Sequence, residues 1–177
     1  MSEQLEKFKE QLVEIENLRS AAALLYWDQA TYMPSGGATA RGQQIATLNR
    51  ISHEKFTSDR MGELLEDLAS YELESPYDSD EASLVRVTRL KYEKAIKVPS
   101  DFMAKISNHS AASYQTWTKA RPANDFSTML PYLEKTLELS CQLADFYPGY
   151  EHIADPLIDR SDEGMKAEQI RLIFSEL

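Results

Sequence analysis

One cysteine, Cys141, and three histidines, His53, His109 and His152, are all that this 177-residue chain offers for thiol or soft-metal chemistry. A single thiol excludes an internal disulfide, and a four-cysteine zinc site is excluded by counting. That economy fits a reducing, cytoplasmic setting. Positive charge is scarce too: 19 Lys and Arg stand against 29 Asp and Glu, a net charge of −10. A surface of that sign repels phosphate backbones and anionic headgroups, so neither nucleic acid nor a membrane is expected as a partner. Long apolar runs are missing. The longest, Ala21 to Trp27, falls far short of the roughly 20 residues that span a bilayer, and no basic segment leads into an apolar one at the N-terminus. No signal peptide or transmembrane helix is expected. Nor does any stretch show the period-two alternation of a half-buried strand, which leaves an all-α chain.

What is present is helical periodicity. Leu5, Phe8, Leu12, Ile15, Leu18, Ala22 and Leu25 recur at steps of three and four, a single stripe down a helix that should run to about Trp27. Pro34, Gly36 and Gly37 then turn the chain. A second helix is expected from about Ala38 to Lys55, and a third, with Met61, Leu64, Leu65 and Leu68 as its stripe, after Thr57 or Ser58 as N-cap. Ser79 should cap a fourth helix, carried by Val85, Thr88, Tyr92 and Ile96 and stopped by Pro99. Ser100 or Asp101 opens a fifth, through Phe102, Ile106 and Trp117 to about Ala120. A sixth follows the cap-like Asn124-Asp125, with Leu130, Leu133, Leu137, Cys141 and Ala144 on one side and Pro131 in its first turn. The segment from Pro148 to Gly164 is the least regular. Ile170, Ile173, Phe174 and Leu177 keep helical spacing with no stop signal, so the chain is expected to end inside a helix whose partner helices lie elsewhere. The expectation is a multi-helix array of about six or seven helices, in one domain over 1–177, since a chain of about 150 residues buries roughly two thirds of its unfolded surface.

No complete catalytic set accompanies these helices. Helical metallopeptidases place two histidines at i and i+4, so that both imidazoles face one zinc while the glutamate between them activates water. His53-Glu54-Lys55-Phe56-Thr57 begins that pattern and fails it at Thr57. His109 and His152 stand apart from His53; His152, with Asp155 and Asp159, could at most hold an adventitious metal. Cys141 reads as an inert buried thiol. Carboxylate pairs such as Glu14 and Glu16 are ordinary for an acidic helical surface. No residue is assigned a catalytic or metal-binding role.

Asp28 does require an explanation. It falls at the C-terminal end of the first helix, where the helix dipole disfavours negative charge by about 0.3–1 kcal/mol, so it should have a compensating partner. Arg41, early in the next helix, is the nearest basic candidate. Such a pair either pins the turn or contacts a substrate.

Leu24-Leu25-Tyr26-Trp27-Asp28-Gln29-Ala30-Thr31-Tyr32-Met33-Pro34, followed by Gly36-Gly37, Arg41, Gln44, Leu48 and His53-Glu54, resembles the opening signature of the carboxypeptidase Taq family. The likeness continues through Trp117 to Arg121, Asn124-Asp125-Phe126 and Pro131-Tyr132-Leu133-Glu134 to Glu163-Gly164-Met165, and so covers nearly the whole chain. The resemblance implies the N-terminal part of a larger helical metallopeptidase that removes C-terminal residues from peptides with broad specificity. It further implies a mononuclear zinc, or cobalt, held by a downstream His-Glu-x-x-His helix that this sequence lacks. The partners implied are the remainder of the parent enzyme, peptide substrates and a second copy in a homodimer.

On this footing the chain is an N-terminal domain forming a wall or cover of the substrate groove, inactive by itself. Trp27, Asp28, Tyr32 and Arg41 are the candidate groove-wall residues, because they cluster where the first two helices meet. The bland alternative makes the two aromatics core and the Asp28–Arg41 pair structural. A different class of function stays open: a free-standing helical module that binds a protein through Ile170, Phe174 and Leu177.

Overall fold

The structure, a computed structural model, describes residues 2–177, the side chains of Ser2 and Ser35 excepted. In order, the helices are α1 (Ser2–Thr31), α2 (Ala38–Phe56), α3 (Asp59–Asp67), α4 (Ala69–Glu74), α5 (Asp80–Ala95), α6 (Ser100–Ala120), α7 (Phe126–Asp145), α8 (Asp155–Asp159) and α9 (Ala167–Ser175), with a 3-10 turn at Ser35–Gly37. No strand occurs among the described residues. The expected array is present, and the short α4 and α8 are additions that no apolar stripe announced. Two compact units divide the chain, one up to Ala104 and one from Lys105, the division falling within α6.

In the first unit the α1 stripe is buried where periodicity placed it, with Phe8, Ile15 and Ala22 essentially inaccessible. Phe8 and Ile15 meet Phe56 of α2, Met61, Leu64 and Leu65 of α3, Leu68 between α3 and α4, and Val85 of α5 in one cluster. Burying each such side chain stabilises the fold by about 1.5–3 kcal/mol relative to exposure. The helix starts follow local chemistry. The Ser58 hydroxyl accepts from the Met61 amide, and the Ser79 hydroxyl accepts from the Ala82 amide, each satisfying a donor that the first turn leaves orphaned. Arg89 of α5 closes the other end of α3. Its guanidinium donates to the Leu65 carbonyl, and its Nε to Glu72 Oε2 at 3.0 Å, which draws α3, α4 and α5 together. Ile96, expected on the buried face of α5, is instead half exposed just past the helix end.

The second unit departs further from the sequence expectations. Asp125 caps α7, its carboxylate accepting from the Thr128 amide at 3.1 Å and from the Ser127 and Thr128 hydroxyls at 2.6 Å. That cap starts the helix at Phe126, so Pro131 is its sixth residue and lies in the second turn rather than the first. The proline ring has no N–H for the Ser127 carbonyl four residues back, so α7 forgoes one backbone hydrogen bond near its start. The buried residues of α7 are Leu139, Leu143 and Ala144, while Leu130, Leu133 and Leu137 are exposed and Cys141 is an exposed thiol, not a buried one. The tight face is thus one strip around from the expected one. On it, His109 of α6 meets Thr136 Oγ1 at 2.9 Å and stacks on Tyr132.

Past α7 the irregular segment is organised by Asp155, which is 2% exposed. Its carboxylate accepts from the Ala167 amide at 2.8 Å and the His152 amide at 3.1 Å, tying α8 to the start of α9. These hydrogen bonds, the one from Ala167 foremost, hold its pKa below the usual carboxylate range against the opposing effect of burial. Gly164, with φ +82°, makes the left-handed turn that brings its amide to Asp159 Oδ1. Helix α9 stops at Ser175 with Glu176 as its C-cap, two residues before the last.

Candidate functional site

The end of α1 and the start of α2 form the one place where the sequence-designated residues come together. Asp28 precedes the end of α1 by three residues, and its carbonyl accepts from the amides of Tyr32 and Met33, which unwinds the helix into the Met33-Pro34 break. The 3-10 turn at Ser35–Gly37 then feeds α2. One turn into α2, Arg41 points back across the break. Its Nη1 donates to Asp28 Oδ2 at 2.5 Å and to the Leu25 carbonyl at 2.9 Å, while Nε donates to Gln44 Oε1 at 3.2 Å. The guanidinium is largely covered and the carboxylate about one third exposed. Asp28 therefore has the compensating cation that its unfavourable position at the helix end demands. The Leu25 carbonyl and Gln44 are partners that the charge pattern alone did not disclose. The i, i+3 spacing of Arg41 and Gln44 on α2 was the available signal for the second.

Trp27 and Tyr32 flank this pair, their ring centroids 5.4 Å apart in an edge-on arrangement. Trp27 is 56% and Tyr32 74% exposed, and Leu24 and Tyr26 beside them are exposed as well. Neither designated aromatic is core. Within this chain both rings lie at the surface, while the ion pair keeps a turn-pinning role. The result is an apolar, aromatic surface standing on a braced helix end.

The other titratable candidates are occupied by structural duties. The Glu54 carboxylate takes both its close contacts from Arg50 Nη1, at 2.8 and 2.9 Å. Thr57, which replaces the second histidine of a zinc helix, donates through its hydroxyl to the His53 carbonyl and ends α2. Burial lowers the basicity of His53, with Arg19 adding to the effect and Glu54 opposing it, so the imidazole is neutral at pH 7. His152 uses Nδ1 to accept from the Ala154 amide, and its Nε2 lies 3.3 Å from Arg171. Among the described residues no three His, Cys, Asp or Glu side chains converge as a metal site would require. The donors among the described residues therefore do not form a metal site. A shallow depression of about 330 Å³ is lined by Asp145, Tyr147, Pro148, Tyr150, His152 and Ile153 among others.

Residues 7–177 match the family model of the carboxypeptidase Taq (M32) metallopeptidases. The chain is 32% identical over 169 residues to thermostable carboxypeptidase 1 of Thermus thermophilus, covering 90% of this chain and 33% of that protein. It is 29% identical over 171 residues to carboxypeptidase 1 of Bacillus subtilis, covering 97% and 34%. Among solved structures, the M32 carboxypeptidase from Deinococcus radiodurans superposes with a TM-score of 0.79 at 40% identity, over 98% of this chain and 34% of that one. The chain thus spans about a third of the length of the relatives it matches.

Proposed function

The chain belongs to the carboxypeptidase Taq (M32) metallopeptidase family, and from that premise we propose that residues 1–177 act as its N-terminal domain, one wall or cover of the groove in which a peptide C-terminus is bound. The exposed Trp27–Tyr32 pair, seated on the Asp28–Arg41 brace, carries this reading. A peptide chain arriving at such a wall gains apolar contact and stacking at little entropic cost, because aromatic side chains have few rotamers to lose and this helix end is already fixed. Asp28 and Arg41 hold the wall in place, while Trp27 and Tyr32 touch the substrate. The reaction proposed for the parent is release of C-terminal residues with broad specificity, in the cytoplasm. Its metal, zinc or cobalt, would be held outside this chain, since the donors here are engaged elsewhere. A homodimeric parent is compatible with the reading.

Purified chain supplied with zinc or cobalt should not shorten peptides, and sustained turnover would overturn the proposal. The wall itself is tested in a fusion in which this chain replaces the matched third of the Deinococcus radiodurans enzyme. There Trp27→Ala with Tyr32→Ala should raise KM by about tenfold with a smaller change in kcat, the signature of lost binding contact. An unchanged KM would refute the groove-wall assignment.

The second reading, a free-standing interaction module, draws on the C-terminal residues. Phe174 is 70% and Leu177 94% exposed. It requires a stable complex with another protein that Phe174→Asp abolishes.

A further inference from the structure

Helix α7 is apolar on two faces. Leu139 and Leu143 are buried, with Thr136 beside them on the strip that meets His109, and this face packs within its own unit. Around the helix, Phe126, Leu130, Leu133, Leu137 and Cys141 follow one another at steps of four, three, four and four, and all five are exposed. A helix with apolar residues on both sides is ordinary in the interior of a large protein and unusual at the surface of a small one. A contiguous apolar stripe of this kind marks a contact surface.

We propose that this outer stripe of α7 is the seat of the polypeptide that a whole M32 carboxypeptidase carries beyond the third matched here. The inference rests on the reading of the chain as the N-terminal domain of such an enzyme, and adds which surface joins it to the rest. Two observations select this occupant. This chain covers only 33% and 34% of the Thermus thermophilus and Bacillus subtilis proteins, so in them about twice as much polypeptide again accompanies the same fold. The other ready occupant, a second copy, would bring together two chains of net charge −10. The stripe carries no cation, and adjacent Lys135 is already paired with Glu138, so nothing in it offsets that repulsion.

Cys141, the only thiol in the chain, lies on the stripe and reports its coverage directly. The experiment measures iodoacetamide alkylation of the Cys141 peptide by mass spectrometry. It compares the 177-residue chain with the fusion to the remaining two thirds of the Deinococcus radiodurans enzyme. The free chain should label rapidly at every protein concentration, and the fusion should label about tenfold or more slowly. A folded, active fusion that labels as fast as the free chain overturns the stripe proposal and leaves the N-terminal-domain reading standing. A fusion that neither folds nor hydrolyses peptides removes that reading and the proposal with it. Labelling of the free chain that slows with concentration, as its sedimenting mass doubles, makes a second copy the occupant and overturns the proposal.

The isolated chain supplies an independent arm. Leucine and glutamate have similar helix propensity, so Leu133→Glu with Leu137→Glu should move its melting midpoint by less than about 2 °C if the stripe touches nothing within the chain. A larger fall shows that the stripe is already packed and overturns the proposal.

Discussion

The Tyr92 hydroxyl of α5 rests directly against Gly62 of α3: a Cβ at position 62 would lie 2.6 Å from that oxygen and 3.3 Å from the ring carbon bearing it. Tyr92 cannot swing away freely, because its ring also meets Phe56 edge-on at 6.3 Å. Gly62→Ala would gain about 0.5–1 kcal/mol of helix propensity, but overpacking a fixed neighbour costs about 1–3 kcal/mol. The expected outcome is net destabilisation by about 1–2 kcal/mol in urea unfolding. Tyr92→Phe removes the offending oxygen, so the double variant should recover most of that loss. A strictly additive double-mutant cycle would contradict the packing account.

Arg41 serves three acceptors at once, so its replacement should cost more than an exposed ion pair is worth. Arg41→Ala leaves Asp28 uncompensated at a helix end, and about 1–3 kcal/mol of stability should be lost, the lower part of that range reflecting the partial exposure of Asp28. Arg41→Lys should recover little, because one ammonium cannot reproduce the fork that reaches Asp28, Leu25 and Gln44 together. Thermal midpoints of the three proteins check this, and full recovery by lysine would argue that charge alone matters.

Asp125 should make the start of α7 sensitive to acid. The Ser127 and Thr128 hydroxyls, then the Thr128 amide, hold its pKa at about 2, below its ordinary value of 3.8. Because the folded-state value is the lower one, the capping contribution is complete above about pH 4 and is lost as pH falls from there through about 2. The protection of the Thr128 amide, its exchange rate relative to the intrinsic rate at each pH, should fall across that window in the native chain. Asp125→Asn should retain much of the cap and lose the pH dependence, and an unchanged acid step in that variant would assign the effect elsewhere.

His53 runs in a related direction for a different reason. Burial lowers its pKa from 6.5, so below pH 6.5 the unfolded chain binds the proton more readily than the folded one. Stability should therefore fall as pH drops through 6.5 toward the folded-state value, and His53→Gln should flatten that limb of the curve. Adding zinc at pH 7 should shift the melting midpoint of native and His53→Gln chains equally. A shift confined to the native chain would identify His53-Glu54 as a metal site.

Features controlled by a few adjacent residues were legible in the sequence. Ser58 and Ser79 cap the helices they precede, and Asp125 caps α7, because a short polar side chain reaches the next turn's amides whatever surrounds it. The α1 stripe was read correctly because seven apolar residues at helical spacing leave one face to bury. Asp28 announced Arg41 because an acid at a helix end requires a cation within a short reach. The interior position of Pro131 was misjudged although Asp125 was legible as a cap: a helix that starts at Phe126 makes Pro131 its sixth residue, beyond the first turn.

Coverage of the apolar faces was decided by tertiary structure alone. Periodicity shows that Leu130, Leu133 and Leu137 share a side of α7, but Leu139 and Leu143 share another side equally well, and the helix buries the second. The same limit applies to Trp27, Tyr32 and Cys141, whose composition suggested a core and whose placement is exposed. The sequence by itself determined an acidic, helical chain with its helix starts and its family resemblance, because charge, spacing and capping are local properties. Which stripe is sealed and which is presented depends on what lies opposite it, and that is fixed only when distant segments pack.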